Sequence, residues 1–121
     1  MTSASQSMVG AAAEVVSRFN DAWGGHDMTG ALALISDDCV FESTSPAPDG
    51  ARYVGRAAIE AAWAPIFADS ETQFTVEDSF TAESHVVQRW RYDWVGGHVR
   101  GVDVFTVSGG KITEKLAYVK G

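Results

Sequence analysis

The chain has 121 residues, 45% of them apolar and 21% charged, which suits one compact domain with its own core and gives no shift in composition to mark a second. A formal charge of −7, with nine Lys and Arg scattered along the chain, speaks against nucleic acid as a partner. No window is apolar for long enough to span a bilayer, Met1 to Gly10 lacks the pattern of a secretory signal, and Cys39 stands alone, so a soluble, cytoplasmic protein without disulfides or membrane contact is expected.

Residues 1–7 are small and polar and read as a disordered tail, with a single domain over 8–121. From Ser7 to Trp23 the residues Val9, Val16, Phe19 and Trp23 recur at helical spacing, and Gly24-Gly25 stops that helix. Asp27 can cap a second, short helix through Met28, Ala31, Leu32 and Ile35, after which Cys39 to Ser43 has strand character. Ser45-Pro46-Ala47-Pro48-Asp49-Gly50 predicts a loop, and Tyr53-Val54 a short strand. Arg56 to Phe67 reads as a third helix carrying Ile59, Trp63, Ile66 and Phe67 on one side, which Pro65 kinks or ends early.

Beyond Ser70 the apolar period changes from helical to two, and the second half of the chain is sheet. Gly96-Gly97 fits a two-residue hairpin loop and Ser108-Gly109-Gly110 a three-residue one. Counting back from those turns puts Asp103 between Trp90 and Lys115, with Gly101 opposite Tyr92. One face then carries Trp90, Tyr92, Trp94, Gly101, Asp103, Phe105 and Lys115. The other carries Arg89, Arg91, Val102, Val104, Leu116 and Tyr118, a mixture of apolar bodies and cationic tips too large for a single small domain to bury alone, and it is expected to form a homodimer interface.

Asp103 is the residue that stands out, because a strand apolar on both sides gives a carboxylate no easy route to water. It is either a structural partner of Lys115 or a working acid-base group. Lys115 in turn can orient Asp103, bind an anionic group, or snorkel. His26, His85 and His98 lie in or beside turns with no carboxylate at ligand spacing, so no metal site is expected; His98, starting the Asp103 strand, is the one placed to act near a cavity mouth. Cys39 lacks a histidine to deprotonate it and reads as a buried thiol.

The order of elements, with Ser36-Asp37-Asp38-Cys39-Val40-Phe41, Gly55-Arg56-Ala57-Ala58-Ile59 and Gly101-Val102-Asp103-Val104-Phe105 before Gly110-Lys111-Ile112, resembles the nuclear transport factor 2-like superfamily. Within it the chain is most similar to the SnoaL-like polyketide cyclases and the ketosteroid isomerases. The resemblance implies an α+β fold in which N-terminal helices pack in a strongly curved antiparallel sheet, leaving a cone for a small ligand.

It also implies chemistry. Asp103 matches the oxyanion aspartate of the isomerases, a carboxyl that an apolar site keeps protonated. The position of their oxyanion tyrosine holds Phe19, and the position of their base holds Ser43, with Glu42 beside it on the other face. An Arg-x-Asp element like that of the limonene epoxide hydrolases, Arg91-Tyr92-Asp93, points away from the aromatic face. The resemblance therefore implies a cofactor-independent isomerase, cyclase or hydratase acting on a largely apolar or polycyclic small molecule through Asp103. A non-catalytic binding module or a dimeric structural module of the same fold is the alternative. The pocket is expected to be lined by Phe19, Trp23, Phe41, Ser43, Tyr53, Trp63, Phe67, Trp90, Tyr92, Trp94, Gly101, Phe105 and Lys115.

Overall fold

The computed structural model describes residues 4–121 and has the α+β architecture expected. Helices α1 (Ala4–Gly24), α2 (Met28–Leu32) and α3 (Arg56–Ala68) accompany strands β1 (Ile35–Glu42), β2 (Arg52–Val54), β3 (Gln73–Ala82), β4 (His85–Trp94), β5 (Gly97–Ser108) and β6 (Lys111–Val119). The strands form one sheet in the order β2-β1-β6-β5-β4-β3, antiparallel except where β1 runs parallel to β6. The sheet is curved and unclosed, and the helices fill its concave side.

The core follows from side chains at helical and alternate spacing meeting on that side. Phe19 of α1 packs on Trp63 of α3 and Phe105 of β5, with ring centroids 5.6 and 5.7 Å apart, and Ile35, Ile59 and Ile112 are fully enclosed beside them. Arg56 ties the layers together. Its guanidinium donates to the carbonyl oxygens of Leu32 and Ile35 and to Asp37, joining the end of α2 and the start of β1 to α3.

Several expectations change in the structure. Helix α1 begins at Ala4 rather than Ser7; residues 1–3 of the expected tail lie outside the described residues. Helix α2 ends at Leu32, and Ile35 opens β1 instead of closing the helix, because its side chain is needed in the sheet core. Pro65 does not end α3, which runs on to Ala68; the proline is exposed, where an unpartnered carbonyl one turn back can reach water.

Both hairpins depart from the expected pairing, the first by two residues throughout and the second by one at its turn and by two beyond a bulge. The first closes with Trp94 opposite Gly97 around Val95-Gly96, where Gly96 takes φ +94. The second closes with Ser108 opposite Lys111 around Gly109-Gly110, both at positive φ, and a bulge between Thr106 and Val107 then offsets the ladder. Asp103 thus lies opposite Gln88 and Ala117 rather than Trp90 and Lys115, Gly101 lies opposite Trp90 rather than Tyr92, and Lys115 lies opposite Phe105. A shift of two keeps every side chain on its face, so the two faces of the sheet keep the expected residues.

Candidate functional site

The concave side of β4, β5 and β6, roofed by α1 and the end of α3, encloses a cavity of about 420 Å³. Its wall is mostly aromatic and aliphatic, with Phe19, Trp23, Phe74, Trp90, Val99 and Ile66 among the lining residues. Two polar groups of side chains interrupt it.

The deeper group is built on Asp103, which is only 2% exposed. Its Oδ2 accepts from Gln88 Nε2 at 3.1 Å, and its Oδ1 faces the ammonium of Lys115 at 3.5 Å. Gln88 is itself held by Asn20 of α1 in a reciprocal amide pair, with Asn20 Nδ2 donating to Gln88 Oε1 at 2.7 Å and Gln88 Nε2 donating to Asn20 Oδ1 at 3.0 Å. The Lys115 ammonium sits 4.8 Å from the ring centroid of Trp23, 5.0 Å from that of Phe41 and 5.9 Å from that of Phe105. Those ring faces and one carboxylate are what replaces water around a buried cation.

The second group lies at the rim. Tyr92 Oη contacts Thr72 Oγ1 at 3.1 Å, and Thr72 Oγ1 donates to the carbonyl oxygen of Asp69 at 3.1 Å. Asp69, exposed at the end of α3, also lines the cavity.

Of the residues expected at the site, Phe19, Trp23, Trp90, Tyr92, Asp103 and Lys115 line this cavity together. Phe41, Trp63, Phe67 and Phe105 sit in the core around it, where Trp63 contacts all of Phe19, Phe41 and Phe67. Tyr53 stacks on Phe41 at 5.7 Å on the β2 side. Gly101 lies under the Trp90 ring, against which a Cβ would clash.

Two expected pocket residues point elsewhere. Trp94 is 45% exposed and covers Gly97 at the hairpin end, since the turn begins one residue earlier than expected and leaves it at the tip of the strand. The Ser43 hydroxyl donates to the Ser45 carbonyl at 2.7 Å and accepts from the Ala51 amide at 3.1 Å, so it shapes the loop before β2. His98 is exposed opposite Asp93 and does not line the cavity. Arg91 and Asp93 form a two-pronged ion pair at 2.9 and 3.0 Å and are likewise absent from its lining.

Asn20, Gln88, Thr72 and Asp69 escaped the sequence reading. Gln88 had a signal, since it alternates in phase with Trp90 and Tyr92; Asn20 sits one residue past Phe19, and only the three-dimensional packing of α1 brings it to β4. Cys39 is 1% exposed, and its burial, with Asp38 beside it, pushes the thiol up to about 11 against the smaller opposing pull of Lys115 and Arg56. It is an unreactive core thiol. Among the described residues no three His, Cys, Asp or Glu side chains gather as a metal-holding cluster.

The comparisons with known proteins agree with this architecture. The model of the SnoaL-like domain family matches residues 16–115. A nuclear transport factor 2-like protein of unknown function from Mesorhizobium loti is 42% identical, with a TM-score of 0.85 and 93% of each chain covered. A candidate ketosteroid isomerase from Kribbella flavida has a TM-score of 0.79 at 15% identity, over 93% of this chain and 80% of its own. A candidate polyketide cyclase from Sinorhizobium meliloti has a TM-score of 0.74 at 21% identity, over 86% of this chain and 93% of its own. These last two share the fold. No curated protein matches the chain.

Proposed function

Because this chain belongs to the SnoaL-like domain family, we propose that it binds a small, largely apolar molecule in its cavity and acts on it as a cofactor-independent isomerase, cyclase or hydratase. The observation that carries the reading is the Asp103 carboxylate on the wall of an apolar cavity, 3.5 Å from the Lys115 ammonium. Asp103 takes a proton from the ligand, and the electron pair released moves onto a ligand oxygen. The negative charge that develops there is met by Lys115, whose attraction is strong because little water screens it. Return of the proton at another carbon completes an isomerisation; attack of the carbanion on a second carbonyl, whose alkoxide oxygen then takes the proton back from Asp103, completes a cyclisation. The candidate isomerase and candidate cyclase of the same fold are in keeping with this chemistry.

The test is Asp103→Asn on a ligand recovered from the purified protein by native mass spectrometry. A general acid-base role predicts turnover lowered roughly 100-fold or more with binding retained. Turnover at the wild-type rate by a folded, ligand-binding variant removes Asp103 from the chemistry.

A second reading, a non-catalytic binding module, is favoured by Phe19, which brings no hydroxyl to the cavity, and by Ser43, whose hydroxyl is engaged in its loop. Ligand binding without turnover, insensitive to pH near neutrality, distinguishes it.

We also infer a homodimer through the convex sheet face. Phe80 and Tyr118 stand 61% and 56% exposed there beside half-buried Val102, Val104 and Leu116, an apolar patch that a second copy would cover. The flanking pairs Arg89 with Asp78 and Arg100 with Glu77 supply both signs of charge to its border. Sedimentation equilibrium expects a dimer; a monomer at high concentration overturns it.

A further inference from the structure

We propose that the cavity selects a ligand by the direction of its hydrogen bonds: an oxygen acceptor at the Lys115 end and an O–H or N–H donor at the Tyr92 end. The ligand class is then a phenol or alcohol carrying a carbonyl at its opposite end. This rests on the reading of the cavity as a small-molecule site.

At the rim, proton counting fixes the polarity. A threonine hydroxyl has one hydrogen, and that of Thr72 goes to the Asp69 carbonyl oxygen at 3.1 Å. In the 3.1 Å contact between Thr72 and Tyr92, the hydrogen must therefore come from Tyr92. Tyr92 then has none left, and its oxygen offers only lone pairs to a ligand. Thr72 is 8% exposed, so water has little access with which to reverse this arrangement. The neighbouring Asp69 carboxylate, which accepts from the Glu71 amide at 3.1 Å, is also an acceptor. A carbonyl placed at this rim would meet lone pairs alone.

The deep end is the reverse. The Lys115 ammonium has three hydrogens and, among the described residues, one polar partner, Asp103 Oδ1 at 3.5 Å; ring faces of Trp23 and Phe41 also surround it. Asn20 Nδ2 donates one hydrogen to Gln88 and keeps a second. Asp103 supplies the one carboxylate at that end among the described residues, and its two oxygens already face Lys115 and Gln88. Spare donors therefore gather toward the interior and spare acceptors at the rim. Tyr92 lies opposite Val99, and Val99 stands four residues before Asp103 on β5, roughly 13 Å along an extended strand.

The test uses three probes of one shape: para-hydroxybenzylideneacetone, with a phenol and a ketone at opposite ends; para-methoxybenzylideneacetone, without the donor; and para-butylphenol, without the carbonyl. Titration calorimetry is expected to show the first binding at least about tenfold tighter than either of the others, the usual consequence of leaving a buried polar group unpaired. Tyr92→Phe should cut the hydroxy-over-methoxy preference at least about threefold, the Asp69 carboxylate accounting for what remains, and keep the preference for the ketone. Thr72→Val returns the Tyr92 hydrogen to the cavity, so the methoxy probe should gain on the hydroxy probe, a change that a purely structural role for Thr72 would not produce.

Equal or tighter binding of the methoxy probe to the native protein overturns the proposal. So does a hydroxy-over-methoxy preference unchanged by Tyr92→Phe, or failure of all three probes to bind. A protein that keeps the polarity while its Asp103→Asn variant turns ligand over unchanged loses the acid-base reading and retains this one.

Discussion

Gln88 Nε2 donates to Asp103 Oδ2 at 3.1 Å and to Asn20 Oδ1 at 3.0 Å, so one buried amide fixes a carboxylate on β5 and a helix side chain on α1 at the same time. Gln88 is 1% exposed, and water cannot replace either bond. Its Oε1 is filled by Asn20 Nδ2 at 2.7 Å, which also fixes the amide against flipping. Gln88→Leu removes all three bonds with little change in bulk. The expected loss of stability is about 2–4 kcal/mol, because Asp103 and Asn20 are left with unpaired polar atoms. Urea denaturation measures it, and a loss under 1 kcal/mol would mean that water reaches the gap.

Lys115 and Asp103 should behave as a coupled pair. Either Lys115→Met or Asp103→Leu leaves an uncompensated charge in the core, expected to cost about 3–5 kcal/mol. The double variant should be more stable than the sum of the single losses implies, by 1 kcal/mol or more in a double-mutant cycle. Additive losses would show that the 3.5 Å contact contributes nothing beyond its two separate environments.

Cys39 gives a pH dependence with a definite sign. Its thiol is raised from 9.0 to about 11 by burial, so the folded chain keeps a proton that the unfolded chain releases first. The stability associated with the neutral thiol is full below pH 9 and declines as pH rises toward 11, by roughly 3 kcal/mol at most. Thermal melts across that range should fall more steeply for the native protein than for Cys39→Ala. Native protein at pH 8 should also react with a thiol reagent only as fast as it unfolds.

Gly101 is required by close approach. A Cβ there would overlap the Trp90 ring and the Tyr118 carbonyl oxygen. The ring is the far end of a side chain and can turn, but the carbonyl belongs to the β6 ladder. Gly101→Ala should therefore lower stability by about 1–3 kcal/mol and displace Trp90 from the cavity wall. A shift in tryptophan emission together with denaturant melts checks both effects; unchanged values for both count against the close packing.

The faces of the sheet were legible in the sequence and the register was not, and the reason is physical. Alternation tells which side of a strand Asp103, Phe105 and Lys115 share, and any even shift preserves that answer. The choice between Val95-Gly96 and Gly96-Gly97 as the loop depends on which residue takes positive φ, and three adjacent candidates offered no ranking. The bulge between Thr106 and Val107 has no sequence mark at all. The same limit hid the partners of Asp103: the neighbouring Gln88 comes from register, and Asn20 from the docking of a helix 68 residues away in sequence from Gln88. Arg56, legible only as part of a motif, acts as a clamp because the carbonyls of Leu32 and Ile35 converge on it.

Strand β6 comes last in the order of elements yet lies between β1 and β5 in the sheet. Until it docks, β1 and β2 have no strand pairing to the β3-β4-β5 meander, and Asp103 lacks the Lys115 cation beside it. The cationic end of the pocket is therefore completed only by a strand made after β5: nascent chains halted before Lys111 should hold an exposed β5 edge and a carboxylate seeking water.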